Sequence, residues 1–173
     1  MSDLKHTTKT FVRISKERDS ATCNDDVLEI FIKPDPVLHP NGLNPYYDFE
    51  INPLGTVMDA FVRKRSATAN FTQWSNWNCR GLKIAIKVKG TLNNRQDVDE
   101  YWTLEAAIPF AELPSLKGKA PRKGDAWLFN LTHYDWSTYL PDGVELSSYA
   151  PLSVADFHRY EDWAKLKFEY APF

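Results

Sequence analysis

Two segments within residues Asp26 to Thr56 alternate their side chains with a period of two, Asp26–Lys33 and Tyr46–Asn52, and this constrains the fold more than any other feature. A proline-rich turn joins them. Such alternation, rich in β-branched and aromatic residues, predicts half-buried β-strands. One side of the predicted strand pair is apolar: Leu28, Ile30, Ile32, Tyr47, Phe49 and Ile51. The other side carries acidic and amide groups: Glu29, Asp48, Glu50 and Asn52. We therefore look for function on this second face.

The rest of the chain continues as short strands joined by irregular loops. Further strands are predicted at Phe11–Ile14, Gly55–Val62, Leu82–Val88, Tyr101–Ile108, Ala126–Thr132 and Lys165–Tyr170. Pro109–Leu113 is predicted to form one helical turn, since proline suits a first helical position. Tyr134–Gly143 is predicted to be an aromatic loop. The pattern predicts an all-β fold, an antiparallel β-sandwich with at most short helical turns, in a single domain over 1–173.

Composition narrows the possible partners. A net charge of -2 gives no electrostatic footprint for nucleic acid or an anionic membrane. No apolar run is long enough to span a bilayer, and the N-terminus lacks the apolar segment of a signal peptide. The aromatic content of 14%, with six Trp and eight Tyr, is typical of a recognition surface as well as of a core. Cys23 and Cys79 could form one disulfide or stay reduced.

Motifs for covalent catalysis and phosphate binding are absent from the sequence, and the four histidines lack the close spacing of a zinc pair. Glu29, Glu50 and Glu105 could share the polar face of one sheet. They could be solvated, could accept ligand hydroxyls, or could be a glycosidase pair, and the pattern leaves these alternatives open. Acidic turns at Asp25–Asp26 and Asp97–Glu100 could also donate oxygens to calcium.

The tryptophans fall into two groups. Trp102 and Trp127 lie in predicted strands, on sides shared with aliphatic residues, and are predicted to be core. Trp74, Trp77 and Trp136 lie in polar connections. There they could stack on the apolar face of a sugar ring or plug the open ends of a sandwich.

Five motifs in order carry a resemblance to a known family. They are Asp25-Asp-Val-Leu-Glu-Ile-Phe-Ile32, Tyr46-Tyr-Asp-Phe-Glu-Ile-Asn-Pro-Leu-Gly55, Gly81-Leu-Lys-Ile-Ala-Ile-Lys-Val-Lys-Gly-Thr-Leu-Asn93, Trp102-Thr-Leu-Glu-Ala-Ala-Ile-Pro-Phe110 and Gly124-Asp-Ala-Trp-Leu-Phe-Asn-Leu131. Together they resemble a carbohydrate-binding module of the family 9-like group, within the DOMON-like β-sandwich set. The resemblance covers roughly Arg18 to Phe168.

The resemblance implies a jelly-roll-like sandwich that binds glycans without cleaving them, holding a terminal sugar between two Trp rings. It also implies possible structural calcium, a secreted or periplasmic location and membership of a larger multidomain protein. The family's glutamate falls on Glu29. The residues that it implies for ligand binding here are Glu29, Glu50, Asn52, His133, Tyr134, Trp136 and Tyr139.

The chain departs from the family pattern at several positions. Cys23 stands where many members have one of the two Trp walls, and Glu50 stands near a position that is basic in sugar-binding members. The second wall falls on Trp136 or Tyr139. Family members usually have further strands before Arg18, which implies a shortened or excised module here.

Three alternative functions follow from these departures and from the wider set. The first is a structural or interaction domain that has kept the sandwich and lost sugar binding, as Cys23 indicates. The second is a haem-binding domain with Met58 and His133 as axial ligands. The third is a glycoside hydrolase or an accessory domain of one.

Overall fold

The computed structural model describes residues 15–40, 43–65, 77–94, 96, 98–136 and 143–169. Its strands are β1 (Val27–Lys33), β2 (Tyr46–Ile51), β3 (Val57–Val62), β4 (Lys83–Lys89), β5 (Tyr101–Ala107), β6 (Ala126–Trp136), β7 (Val144–Ser148) and β8 (Ala164–Lys167). The helical segments in this part of the chain are single 3-10 turns at Thr22–Asn24, Phe110–Glu112, Pro114–Leu116 and Tyr160–Asp162. The fold is all-β, as predicted.

Six strands form one antiparallel sheet, called here the large sheet, in the order β3-β2-β1-β6-β7, with β8 also paired to β6. The strands β7 and β8 pair with different halves of β6: Thr132–Trp136 faces β7, and Ala126–Phe129 faces β8. The strands β4 and β5 form a second, two-stranded antiparallel sheet. Among the described residues, no helix is long and apolar enough to cross a membrane.

The inner face of the large sheet packs against the second sheet. Buried Tyr47, Phe49 and Ile51 of β2 share one core with Ile84 and Ile86 of β4. These residues hold alternate positions, so the period-two pattern places every second side chain of β2 in this core. The other positions of each strand project from the outer face.

The outer face is covered in part by the chain after β7. Five aromatic residues there form a second buried group, called here the aromatic cluster: Phe31, Tyr46, Phe157, Tyr160 and Trp163. The ring of Trp163 meets that of Tyr46 edge to face at a centroid distance of 5.3 Å. Its indole N–H donates to the Phe157 carbonyl oxygen at 2.9 Å. This end of the outer face is apolar, and the Trp163 indole and the Tyr46 hydroxyl in it are hydrogen-bonded.

The hairpin between β2 and β3 is closed by a turn that begins at Asn52. Asn52 Oδ1 accepts hydrogen bonds from the backbone N–H groups of Leu54 and Thr56, at 3.1 and 3.0 Å. Gly55 adopts φ 85°, a left-handed conformation that glycine adopts without steric cost. The turn fixes the register in which β3 pairs with β2.

Most predicted strands are confirmed, and two assignments near the site are wrong. Strand β6 continues through Tyr134 to Trp136, where a loop was predicted, and β7 was not predicted. Tyr134 and Trp136 alternate with His133 and Asp135, so a period-two signal was present in the sequence and the loop assignment overlooked it. The predicted strand Phe11–Ile14 lies outside the described residues.

Predictions for individual side chains have mixed outcomes. Trp102 and Trp127 are both 4% exposed, which confirms their place in the core. Trp77 donates to the Glu112 carbonyl oxygen and packs on Tyr47, so it closes the core rather than facing solvent. Trp74 lies outside the described residues.

The prediction that Glu105 shares a face with Glu29 and Glu50 is wrong. Glu105 is exposed on β5 in the second sheet, paired with Ala85 of β4. The alternation of Tyr101–Ile108 identified a polar side of that strand, but a single strand's pattern cannot show which sheet it joins.

Candidate functional site

Three carboxylates meet on the outer face because of the register of β1 and β2. Glu29 pairs directly with Glu50, and Asp48 is the next outward residue along β2. One oxygen from each carboxylate lies within 4.8 Å of the other two. Glu29, Asp48 and Glu50 are called here the acidic cluster, and they are 3%, 0% and 5% exposed.

The three carboxylates differ in their hydrogen bonds. Thr132 of β6 donates its hydroxyl to Glu29, at 2.5 Å. Thr22 donates its hydroxyl to Glu50 from the 3-10 turn above the sheet. Asp48 is fully buried, and neither of its carboxylate oxygens has a hydrogen-bond partner. An unpaired polar group in this position is costly, because it has lost its water without gaining a donor.

Burial and mutual repulsion shift the acidity of the cluster. Burial, and then the charges of the neighbouring carboxylates, hold the pKa of Glu29 and of Asp48 well above the ordinary values. Burial raises the pKa of Glu50 to about 7 against the hydrogen bonds from Thr22 and the Cys23 backbone. None of the ion pairs formed by the described residues includes a member of the cluster.

Two aromatic rings and a thiol stand beside the cluster at its solvent side. Tyr134 and Trp136 are alternate residues of β6 on the same face as Thr132, and both are half-buried. The indole N–H of Trp136 donates to the Cys23 carbonyl oxygen at 2.9 Å, which joins β6 to the 3-10 turn. Burial and then the charge of Glu50 raise the pKa of the half-buried Cys23 thiol to about 11. Burial, followed by the charges of Glu29 and Glu50, raises the pKa of Tyr134.

The side chain of Asn52, which was predicted to bind ligand, forms its hydrogen bonds within the protein. This side chain is buried; Nδ2 donates to the Ser15 carbonyl oxygen and to Asp25 Oδ2, and Oδ1 accepts from the turn described above. All four hydrogen-bonding positions of the amide are therefore used within the protein. Asn52 positions the start of the turn next to the acidic cluster.

His133 lies on the opposite face of the sheet from the acidic cluster. It pairs with Leu28, and its neighbour Thr132 pairs with Glu29, so successive residues of β6 point to opposite sides. His133 lines a cleft at the edge of the inner face with Trp102, Ser147 and Tyr149. Tyr149 is 61% exposed. The structure thus separates His133 from Glu29 and Glu50.

The haem hypothesis fails on the same geometry. Met58 pairs with Glu50 on the outer face and is buried there, whereas His133 points to the inner face. Two axial ligands must approach one iron from opposite sides of one macrocycle, and a continuous sheet stands between these two residues.

The predicted acidic turns are used as hydrogen-bond acceptors. Asp25 accepts from the Ser15 backbone N–H at 2.7 Å, and Asp26 accepts from the Trp136 backbone N–H at 2.6 Å. Asp99 accepts from the Thr91 backbone N–H. Asp97 and Tyr139 lie outside the described residues. Cys23 and Cys79 are free thiols; Cys79 belongs to the inner core and Cys23 to the outer face.

Sequence reasoning placed Asp48 on the polar face but did not include it among the ligand residues, and it missed Thr22 and Thr132. Thr132 could have been found, because it alternates with Leu131 and His133 in β6 and β6 pairs with β1. Thr22 carries no such signal, since it lies in a polar connection whose course over the sheet is a tertiary property.

The sequence matches no protein-family profile and no curated protein. The fold is similar to the crystal structure of a putative carbohydrate-binding protein from Bacteroides uniformis ATCC 8492. The two share a TM-score of 0.64 and 18% sequence identity, over 95% of this chain and 70% of that one. This likeness supports the two-sheet fold.

Proposed function

We propose that this chain is a non-catalytic carbohydrate-binding domain whose ligand surface is the outer face around the acidic cluster. The observation that carries the proposal is that two half-buried rings, Tyr134 and Trp136, follow Thr132 on the outer face, and Thr132 is the cross-strand partner of Glu29. The family 9-like resemblance and the fold shared with a putative carbohydrate-binding protein support the same class.

The chemistry of the surface suits a sugar. A pyranose ring has an apolar C–H face, which stacks on an indole or phenol ring, and a rim of hydroxyls, which donate to carboxylates. Trp136 supplies the stacking ring, with Tyr134 beside it, and Tyr139 is the further candidate from the sequence. Glu50 and Glu29 are the acceptors below. Because Cys23 replaces one aromatic wall, the site has one ring-lined side, and we expect modest affinity.

The close pairing of the two glutamates on one sheet face supports binding rather than hydrolysis. A retaining or inverting glycosidase needs two carboxyl groups that flank the glycosidic bond, with room for the sugar or for water between them. Glu29 and Glu50 are direct cross-strand partners, and oxygens of the two lie within 4.8 Å of each other. In this arrangement both can face one side of a sugar, but they cannot stand on opposite sides of a scissile bond.

A glycan array followed by calorimetric titration of the best ligand tests the proposal. Trp136→Ala should abolish binding with the β-sheet circular dichroism unchanged. The matched variant is Tyr149→Ala, which removes an exposed ring from the inner-face cleft and should leave binding intact. If Tyr149→Ala abolishes binding and Trp136→Ala does not, the ligand occupies the cleft and the proposed surface is wrong.

A second candidate function is a sandwich that serves as a structural or interaction domain. The observation that favours it is Cys23, which stands where the family has a stacking ring and whose half-buried thiol adjoins nearly inaccessible carboxylates. This candidate predicts no binding to any glycan at millimolar concentration, which separates it from the first.

A further inference from the structure

The acidic cluster buries three carboxyl groups, and none of the ion pairs among the described residues includes any of them. Each described arginine or lysine in an ion pair is engaged elsewhere, as Arg18 is with Asp59. Glu29 receives a hydroxyl hydrogen bond from Thr132, and Glu50 receives one from Thr22 and a further one from the Cys23 backbone. Buried charges in proteins are normally paired or coordinate a metal ion.

Asp48 provides a second and independent observation. It is 0% exposed, its two oxygens have no hydrogen-bond partner, and one of them lies within 4.8 Å of oxygens from Glu29 and Glu50. Neutralisation by protons alone would need the carboxyl groups to donate to each other. In the structure neither Asp48 oxygen has a hydrogen-bond partner, and a cation placed between the three carboxylates would supply one.

We propose that Glu29, Asp48 and Glu50 bind one divalent cation through their carboxylate oxygens. The donors determine the kind of ion, because carboxylate, hydroxyl and water oxygens suit Ca²⁺, Mg²⁺ and Mn²⁺. The hydroxyls of Thr22 and Thr132 hold two of the carboxylates in orientation, as outer partners of metal ligands commonly do. The three ligands come from two adjacent strands, which fixes their spacing.

The cation site shares Glu29 and Glu50 with the proposed sugar site, but cation binding does not require a sugar. The ion would lie beneath the surface lined by Tyr134 and Trp136, and its binding can be measured with no glycan present. Failure of one proposal is therefore distinguishable from failure of the other.

The test uses the full chain, stripped with EDTA and titrated calorimetrically with CaCl₂, MgCl₂, MnCl₂ and ZnCl₂ in turn. We expect saturable binding of one equivalent of at least one of the first three ions. At a metal concentration one hundred times Kd, the melting temperature should rise by roughly 5–10 °C. Absence of both heat and thermal shift with all three ions at millimolar concentration would overturn the proposal.

Asp48→Asn tests whether the ion binds at the acidic cluster, since the variant keeps the side-chain shape and removes the carboxylate. We expect binding to weaken by more than about 100-fold, beyond the loss typical of an outer partner. Folding of the variant is checked by its metal-free melting temperature, which should not fall. Glu105→Gln, an exposed carboxylate on β5, is the matched control and should bind like the parent. Equal binding by Asp48→Asn and the parent would show that the ion lies elsewhere.

Cys23→Ser tests the choice of oxygen ligands. The Cys23 thiol lies close enough to Glu50 and Glu29 for these groups to raise its pKa, so an ion that prefers sulfur ligands could also bind the thiol. We expect Cys23→Ser to bind the same ion as the parent within about twofold. Binding of Zn²⁺ alone, lost in Cys23→Ser, would contradict the proposed site.

Discussion

The outer face of the large sheet has two adjoining buried regions of opposite composition, the aromatic cluster at one end and the acidic cluster at the other. At the aromatic cluster, Phe31, Tyr46 and Trp163 pack on one another, and the Tyr46 hydroxyl is hydrogen-bonded to His158 Nδ1 at 2.9 Å. At the acidic cluster, Asp48 has no hydrogen-bond partner. Phe31 and Asp48 are direct partners across β1 and β2, so the two ends adjoin.

This difference in composition gives the two regions different roles: the aromatic cluster stabilises the fold, and the acidic cluster is available for binding. Burial of the aromatic cluster removes apolar area from water and stabilises the fold. Burial of the acidic cluster costs free energy, which a bound cation would recover. We therefore expect substitutions at the aromatic end to change stability and those at the acidic end to change binding.

The largest effect should come from Trp163→Ala at the aromatic end. Removal of this buried ring should lower the free energy of unfolding by about 3–5 kcal/mol, measured by urea denaturation. Trp163→Phe should lose less, because part of the ring packing remains. Cation binding by the folded fraction should be unchanged, and its loss would show that the two ends are not separable.

The next effect is a pH dependence from His158. Burial lowers the pKa of this histidine to about 4. The charge of Asp156 acts in the opposite direction, and that of Arg65 adds to the lowering. Between pH 4 and the ordinary value of 6.5, the unfolded chain binds more protons than the folded one, so stability falls as pH falls through this window. The loss should be roughly 2 kcal/mol at pH 4.5.

His158→Gln isolates that contribution. The difference in unfolding free energy between parent and variant should shrink as pH falls from 7 to 4.5, while the carboxylates common to both cancel. A difference that stays constant across this range would contradict the assignment to His158.

A smaller and opposite effect is expected from Asp48→Asn without metal. Removing a carboxyl group whose ionised form is disfavoured by burial should raise the free energy of unfolding by about 1 kcal/mol. The contrasting variant is Asp59→Asn, whose carboxylate accepts from Arg18 and from the Cys79 backbone N–H, both at 2.5 Å. Asp59→Asn should lose about 1–3 kcal/mol, since it breaks a compensated pair. Destabilisation by both would remove the distinction between the two carboxylates.

The smallest effect concerns the missing aromatic wall. Cys23→Trp should increase glycan affinity by about tenfold at most, as one added ring contact is worth around 1 kcal/mol. Cys23→Ser, titrated with the same glycan, should leave affinity unchanged. If Cys23→Trp leaves the affinity unchanged, the ligand does not pass this position.

Much of this surface could be predicted from the alternation in two strands. The period of two puts Glu29, Asp48 and Glu50 on one face without any knowledge of the partner strands. Their contact depends on register, which places Glu29 opposite Glu50 and is fixed by the intervening loop and by the pairing with β6. A one-residue slip would have moved each of them to the other face.

The remaining features of the site depend on how segments that are distant in sequence pack together in three dimensions. Nothing local indicates that Thr22 crosses the sheet to reach Glu50. Likewise, Glu105 has the same local pattern as Glu29 and lies in the other sheet. Asn52 was predicted as a ligand residue from its face, and its buried amide is used by the adjacent turn.

The most direct test of the account is a crystal of the full chain soaked in Mn²⁺ and measured at the manganese absorption edge. The account predicts an anomalous peak between Glu29, Asp48 and Glu50, at about 2.0–2.6 Å from their oxygens. Absence of a peak at that position, with Asp48 hydrogen-bonded to a neighbouring carboxyl group instead, would contradict it.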